Sequence, residues 1–405
     1  MTPAKYDCCI VGGGPAGMMA GLLLARAGVR TILLEKHADF LRDFRGDTIH
    51  PSTLDVMAEL GLLETFLQRP HQEVTTLSGS VGDRLVTVAD FTHLPTRCKF
   101  VAFMPQWEFL NFLAGEAKRY AHFTLQMEAR GQELLLEDGR VAGVRAQTPD
   151  GPLEVRATLT IAADGRESVL RKEAGLELLE LSAPMDVLWL RLTKHADDPH
   201  DTFGYVRNGR IMALIDRGEY WQCAYVIPKG TLAELRDRGL AEFRRQIAEL
   251  VPFLAGRTIE LTSWDDVKLL TVRVNRLRRW YRSGLLCIGD AAHAMSPIGG
   301  VGINLAIQDA VATANLLAPK LRVGTLTLAD LHGVQRRREG AARLTQMLQL
   351  FIQRGIIGKV LADGRAPFLR GLPAVVRWLP FLPRIPGRLV GLGFRPEHVL
   401  NLPVR

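Results

Sequence analysis

The stretch KYDCCIVGGGPAGMMAGLLLARAGVRTILLE, residues 5 to 35, limits the fold of this chain more than any other. Lys5 to Val11 is an apolar, strand-like run that ends in glycines; Pro15 to Ala27 carries small and apolar residues at helical spacing; Val29 to Glu35 is a second apolar run ending on an acid. Strand, tight loop, helix and strand in this order make a βαβ unit. Gly12 permits the turn, Gly14 lets the backbone approach a pyrophosphate, and Gly17 allows close helix packing. Glu35, about 20 residues on, stands where an acid binds ribose hydroxyls. A lone GxGxxG is weak evidence, but between a strand and a helix with the acid in place it predicts dinucleotide binding. The motif does not separate NAD from FAD.

Length and composition narrow the rest. The chain of 405 residues has room for roughly two to three domains, with the apolar and charged fractions of a globular protein. Of the formal charge of +8, most lies in residues 365 to 405, which hold seven arginines against one glutamate. The body is nearly balanced, so nucleic acid is not expected as a partner. Cys8, Cys9, Cys98, Cys223 and Cys287 show neither a CxxC nor metal-ligand spacing with His, so we expect reduced thiols and no metal site. The opening residues run directly into a strand, leaving no room for a leader, and no apolar stretch reaches the roughly 18 to 20 residues of a membrane span. A cytoplasmic location is therefore expected, with any membrane contact peripheral to its inner face.

Residues 131 to 163 alternate strand-like runs with turn signals at Asp138-Gly139 and Asp150-Gly151, which reads as an antiparallel meander. Residues 185 to 227 give four more strand-like runs and predict a second sheet on the substrate side. The stretches 231 to 250 and 327 to 355 read as ordinary amphipathic helices with solvated faces. Prolines interrupt the last forty residues every few positions, so no long helix is expected there.

Two further segments carry chemistry. LTIAADGRESVLRKEAG, 159 to 175, is a strand that enters Asp164-Gly165 and then a helix bearing Ser168 and Arg171. CIGDAAHAMSPIGGVGINLAIQDA, 287 to 310, is an apolar run, a Gly-Asp pair, a glycine-rich loop and a helix. With IVGGGPAG, these segments resemble, in the same order, those of the FAD-dependent aromatic hydroxylases, the single-component flavin monooxygenases that include para-hydroxybenzoate hydroxylase and the ubiquinone-biosynthesis hydroxylases. The resemblance covers about residues 1 to 175 and 265 to 345, and its most specific part is the last segment.

The resemblance implies an α/β fold: a Rossmann-like FAD-binding domain of the glutathione-reductase type, with an inserted, mostly antiparallel substrate domain and a helical or irregular C-terminal tail. The corresponding division is 1–75, 97–180 and 265–345 for FAD, 76–96 and 181–264 for substrate, and 346–405 for the tail. It also implies that FAD spans the first and last loops. Asp290 contacts the ribityl chain, and the helix beginning near Gly302, Ile303 and Asn304 points its N-terminus at the pyrimidine edge of the flavin. Arg45, Gln106 and Asp164 join the cofactor site. NAD(P)H serves as a transient co-substrate, and O2 is carried to an aromatic or quinone-like molecule through a flavin C4a-hydroperoxide, giving hydroxylation or epoxidation.

On the substrate side, Pro297 is expected as a wall beside the flavin. His50 is a candidate to orient a phenol or take its proton, with capping of the following helix as the alternative. Asp47 is expected near the flavin edge, and His293 in a structural role. From the second sheet, Arg191, Tyr205, Met212, Trp221 and Tyr225 are candidates, although strand alternation turns about half of them away and core or surface packing is the alternative for each taken singly. Three rivals can be named. A halogenase would carry WxWxIP, which WQCAYVIP does not match. A flavin-dependent reductase or dehydrogenase of a lipophilic substrate, and a non-catalytic FAD protein that sequesters an intermediate, stay open. For the tail, either its arginines touch an anionic membrane, or it wraps the cofactor domain with apolar residues buried; the prolines argue for the wrap. The oligomeric state is not legible.

Overall fold

The computed structural model of the chain describes residues 5–41, 48–81, 84–199, 203–363 and 378–400. Lys5–Val11 lies at the centre of an eight-stranded sheet. Its neighbours Thr31–Leu34 and Gly151–Ala162 run parallel to it, and Phe123–Gln126 and Leu285–Cys287 extend the parallel set on either side. The helix Pro15–Arg26 crosses between the first two strands, opened by Pro15 in the first-turn position where its missing N–H costs nothing. This is the expected βαβ unit, and its strands are buried on both faces, as parallel strands require.

The expected meander is present as Arg130–Glu137, Arg140–Thr148 and Gly151–Ala162, with Asp138 and Gly139 both at positive φ in the turn. It is also more than a meander. Residues 151 to 156 of the last strand pair antiparallel with 143 to 148, while residues 156 to 162 pair parallel with Lys5–Val11. One long strand thus carries the Asp164 loop from the surface hairpins into the centre of the parallel sheet.

A second, seven-stranded sheet runs in the order Lys268–Leu270, Met185–Thr193, Tyr220–Pro228, Arg210–Asp216, Phe203–Arg207, Thr76–Val81, Arg84–Asp90. All its pairs are antiparallel except Phe203–Arg207 with Thr76–Val81. Its edge strand Lys268–Leu270 pairs with residues 187 to 189 and so extends this sheet beyond residue 264. The helix Leu240–Leu250 packs on one face, where Phe243, Ile247 and Leu250 meet Leu190, Met212, Trp221 and Tyr225.

Two long helices complete the cofactor side. Val301–Arg322 is long and apolar enough to cross a membrane, but 78% of its most apolar 18-residue window is buried, and it packs along Pro15–Arg26 as a core helix. Leu328–Ile352 starts with a capping box between Thr327 and Asp330 and runs through residue 346 without a break. Its inner face departs from the ordinary amphipathic pattern, since Gln335, Arg338, Gln346 and Gln349 are all buried. The C-terminal helix Arg384–Gly391 packs against the strand Arg84–Asp90 so closely that a Cβ on Gly387 would lie 2.0 Å from the Asp90 carbonyl oxygen.

Candidate active site

The three motif loops meet at one point. Gly12, at φ +108°, has the Ala163 carbonyl oxygen 2.3 Å from where a Cβ would lie, so the first loop rests on the Asp164 segment. A Cβ on Gly289 would lie 2.9 Å from the Cβ of Ala16 and 3.4 Å from that of Ala306. The Gly289-Asp290 loop therefore sits between the first turn of the Pro15 helix and the second turn of the Val301 helix that packs against it.

Each loop is held from behind. The Glu35 carboxylate accepts the Gly13 N–H at 2.7 Å and the His37 N–H at 3.1 Å. Asp164 accepts the N–H groups of Val169 and Leu170 through one oxygen, at 2.8 and 3.2 Å. Its other oxygen, Oδ1, is buried without a hydrogen-bond partner, and burial pushes the carboxyl above its ordinary range. Ser168 caps the short helix Val169–Glu173 by accepting from the Arg171 N–H. The buried Arg171 guanidinium donates to the carbonyls of Arg166 and Ala291, at 2.7 and 3.0 Å, and joins the two Asp-bearing loops. Arg166 donates to Asp290 at 3.0 Å. Sequence reasoning missed Arg166, although its place next to Asp164-Gly165 marked it as a neighbour of any group bound there.

The loop before the Val301 helix is fixed from two sides. Thr48 donates to the Gly300 carbonyl at 3.0 Å, and Gly300, at φ +62°, leaves no room for a side chain because its Cβ would lie 2.2 Å from Thr48 Oγ1. Asn304 Oδ1 accepts from the His50 N–H and the Thr53 hydroxyl, at 2.9 and 2.7 Å. The Asn304 side chain is thus engaged in bracing the loop. From the other side, Gln349 accepts the Ser296 N–H at 3.1 Å and donates to the Ser296 and Ile298 carbonyls at 3.0 and 2.9 Å, which fixes the main chain on both sides of Pro297. Gln346 donates to the Asn275 and Ala294 carbonyls at 2.7 and 3.1 Å and accepts from the Arg276 guanidinium at 3.2 Å. These glutamines were not found from the sequence, where they read as a solvated helix face.

His50 is 1% exposed, and its Nδ1 lies 2.7 Å from the Val390 carbonyl of the C-terminal helix. Burial lowers its pKa to about 4, against a smaller opposing effect of that hydrogen bond. Its main chain forms the N-terminal boundary of the helix Pro51–Glu59, but the side chain does not cap it. Gln106 begins the helix Gln106–Ala117, just beyond the strand Val101–Phe103 that pairs with Thr48–Ile49. Arg45 and Asp47 lie outside the described residues. His293 is buried with its Nε2 2.6 Å from Asp309.

Of the candidates in the second sheet, Met212, Trp221 and Tyr225 belong to the core against Leu240–Leu250, and Tyr205 packs on the same core. Trp221 donates to Asp198 and Tyr225 to Gln246, so their polar ends are already engaged there. Core packing, the alternative that the sequence offered for each of them, is thus what the structure shows for these side chains. The opposite face of those strands carries Trp189, Arg191, Ala213, Ile215 and Ala224, and Arg191 lies over the Tyr220 ring at 4.9 Å.

The described residues fit FAD on three observations. A Cβ on Gly14 would meet nothing within 4 Å, so the backbone is open to approach. Neither the Pro15 nor the Val301 helix has a side-chain cap, so each presents its N–H groups and positive dipole end. The buried Asp164 Oδ1 is an acceptor in want of a donor such as a hydroxyl. No cluster able to hold a metal occurs among the described residues.

Fold and site together define a Rossmann-type FAD enzyme. The family model described as "FAD binding domain" matches residues 5–347, and the chain belongs to that family. It is similar to 6-methylpretetramide 4-monooxygenase of Streptomyces rimosus, 34% identical over 89% of this chain and 87% of the relative. It is also similar to 12-dehydrotetracycline 5-monooxygenase/anhydrotetracycline 6-monooxygenase of Streptomyces rimosus subsp. rimosus, 28% identical over 76% of this chain and 61% of that one. The chain thus spans about six-tenths of the length of such longer relatives. Among solved structures, OxyS anhydrotetracycline hydroxylase from Streptomyces rimosus superposes with a TM-score of 0.75 at 24% identity, over 96% of this chain and 76% of that one. The chain is an FAD-dependent monooxygenase of the aromatic hydroxylase family.

Proposed function

We propose that this enzyme uses NAD(P)H and O2 to insert one oxygen atom into a fused-ring phenolic or quinone-like substrate. The observation that carries the reading is the 34% identity with a monooxygenase of 6-methylpretetramide over nearly the whole of both chains. FAD, when bound, supplies electron transfer and oxygen activation, which side chains lack. The protein's part is binding, orientation and exclusion of water.

In this reading Gly12, Gly14 and Gly17 admit the pyrophosphate, Glu35 holds a ribose, and Asp164 and Asp290 meet hydroxyls along the chain between pyrophosphate and ring. Arg45, Asp47 and Gln106 belong to the same site. The uncapped first turn at Gly302, Ile303 and Asn304 stabilises negative charge through its N–H groups. Pro297, held by Gln349, forms a rigid wall beside the substrate. Its opposite wall is the face of the second sheet bearing Arg191, Ala213 and Ile215. His50, buried and neutral at physiological pH, acts as a positioning group for the C-terminal helix. The reading includes a cytoplasmic location, and peripheral contact of the C-terminal segment with an anionic membrane is supported by exposed Trp378, Phe381 and Ile385 beside Arg384 and Arg388.

The test is NAD(P)H consumption by the FAD-loaded protein against a panel of phenols, quinols and polycyclic aromatics, with product masses. Strong stimulation by a fused-ring phenol with a gain of one oxygen is expected. A change of two hydrogens would instead favour a reductase of a lipophilic substrate. Absence of stimulation by any ligand would favour an FAD-bound sequestering protein.

A further inference from the structure

A chain of buried charges leads from the C-terminal segment to the Gly289-Asp290 loop. Asp309, on the Val301 helix, accepts through Oδ2 from the Gly289 N–H at 3.1 Å and faces His293 Nε2 at 2.6 Å. Its Oδ1 accepts from Arg338 Nε at 3.1 Å. Arg338 in turn donates from Nη1 to the Arg395 carbonyl at 3.0 Å and lies 3.6 Å from the Glu397 carboxylate. Arg337 closes the chain from outside, donating to Glu397 at 2.7 to 2.9 Å. Asp309 and Arg338 are 0% exposed and Glu397 is 4% exposed.

Three features give this chain a direction. Charges this deep are tolerated only as partners, so removing one leaves the next uncompensated. Arg395 sits at φ +51°, a conformation that costs a non-glycine residue energy, and its carbonyl is bound by Arg338. The Glu397 N–H donates to Gln308, the neighbour of Asp309, so the segment is anchored twice at the same place. Glu397 lies beyond residue 347, where the family match ends, while Asp309 and Arg338 lie within it.

We propose that Glu397 is a positioning residue for FAD, acting through Arg338 and Asp309 to fix the main chain of the Gly289-Asp290 loop. The inference rests on the proposed contact between Asp290 and FAD. It predicts that cofactor affinity is set in part from the far end of the chain.

The experiment strips full-length protein of FAD and titrates FAD back, following quenching of flavin fluorescence, with thermal unfolding of each apoprotein measured in parallel. The variants are E397Q, which keeps size and main-chain bonds, D309N, their double, E397D as the conservative rescue, and R337Q, which disturbs the chain from its solvent end. D290A serves as a reference. E397Q is expected to raise the FAD Kd roughly tenfold or more, R337Q less, and E397D to recover part of the loss. The double variant should bind no more weakly than D309N alone, since both act through one path. Wild-type FAD affinity in E397Q and R337Q, with only the unfolding midpoint lowered, would reduce the chain to a structural brace and overturn the proposal. Independent, multiplicative effects of E397Q and D309N would also overturn it. A wild-type Kd in D290A beside a weakened E397Q would support the path while rejecting Asp290 as the contact.

Discussion

His50 illustrates how burial reassigns a residue. In the sequence it stands beside the Arg45 segment, where an imidazole has a use as a base. In the fold it is enclosed, bound to the Val390 carbonyl, and shifted down to about 4 from 6.5 chiefly by desolvation. Between those values the unfolded chain binds a proton that the folded chain refuses, so stability present above pH 6.5 is lost as pH falls toward 4. The shift corresponds to a loss on the order of 3 kcal/mol across the window. Thermal midpoints of wild type and H50Q, measured from pH 4 to 7, should therefore converge at the acid end, with the flatter slope in the variant. Parallel slopes would mean that His50 is not the titrating group. Asn304 is a second case: its place in the motif was legible, but the use of its side chain to hold His50 and Thr53 depends on a contact about 250 residues away.

At the scale of elements, the glycine loop separates space needed by the protein from space needed by a ligand. A Cβ on Gly17 would lie 1.9 Å from the Gly12 carbonyl oxygen, whereas one on Gly14 meets nothing within 4 Å. G17A should lose about 1 to 3 kcal/mol of stability through overpacking together with bound FAD. G14A should unfold at the wild-type temperature as apoprotein yet retain little FAD after gel filtration, read from flavin absorbance per chain. Full flavin content in G14A would show that no phosphate approaches there. The helix Leu328–Ile352 teaches the opposite lesson. Read for an apolar stripe, its polar residues are solvent-facing, but Gln335, Arg338, Gln346 and Gln349 line the buried side and donate to main-chain carbonyls of residues 275, 278, 294, 296, 298 and 395. The period was present in the sequence and carried by amides instead of by leucines.

At the scale of the whole molecule, the segment 378–400 is bound to the body by Glu397, Val390 and Gly387, yet it leaves Trp378 84% exposed with Phe381 and Ile385 half open. Such aromatic and aliphatic side chains among arginines favour an anionic interface. Sedimentation with phosphatidylserine-containing vesicles at low salt should therefore carry wild type down, and a W378S/F381S variant should remain in solution. Equal behaviour of the two with no binding would leave the segment as a brace alone. The sequence by itself determined the βαβ unit and a dinucleotide as its ligand, because both rest on local geometry: glycines where the backbone must turn or be approached, and an acid at the end of the second strand; FAD in particular followed from the resemblance of the three loop segments, taken in order, to a known family. Only the tertiary structure decided which face of the second sheet is core, since alternation divides a strand into two faces without saying which is buried. It alone also joined Glu397 to Gly289, because a buried charge takes its partner from wherever the chain returns.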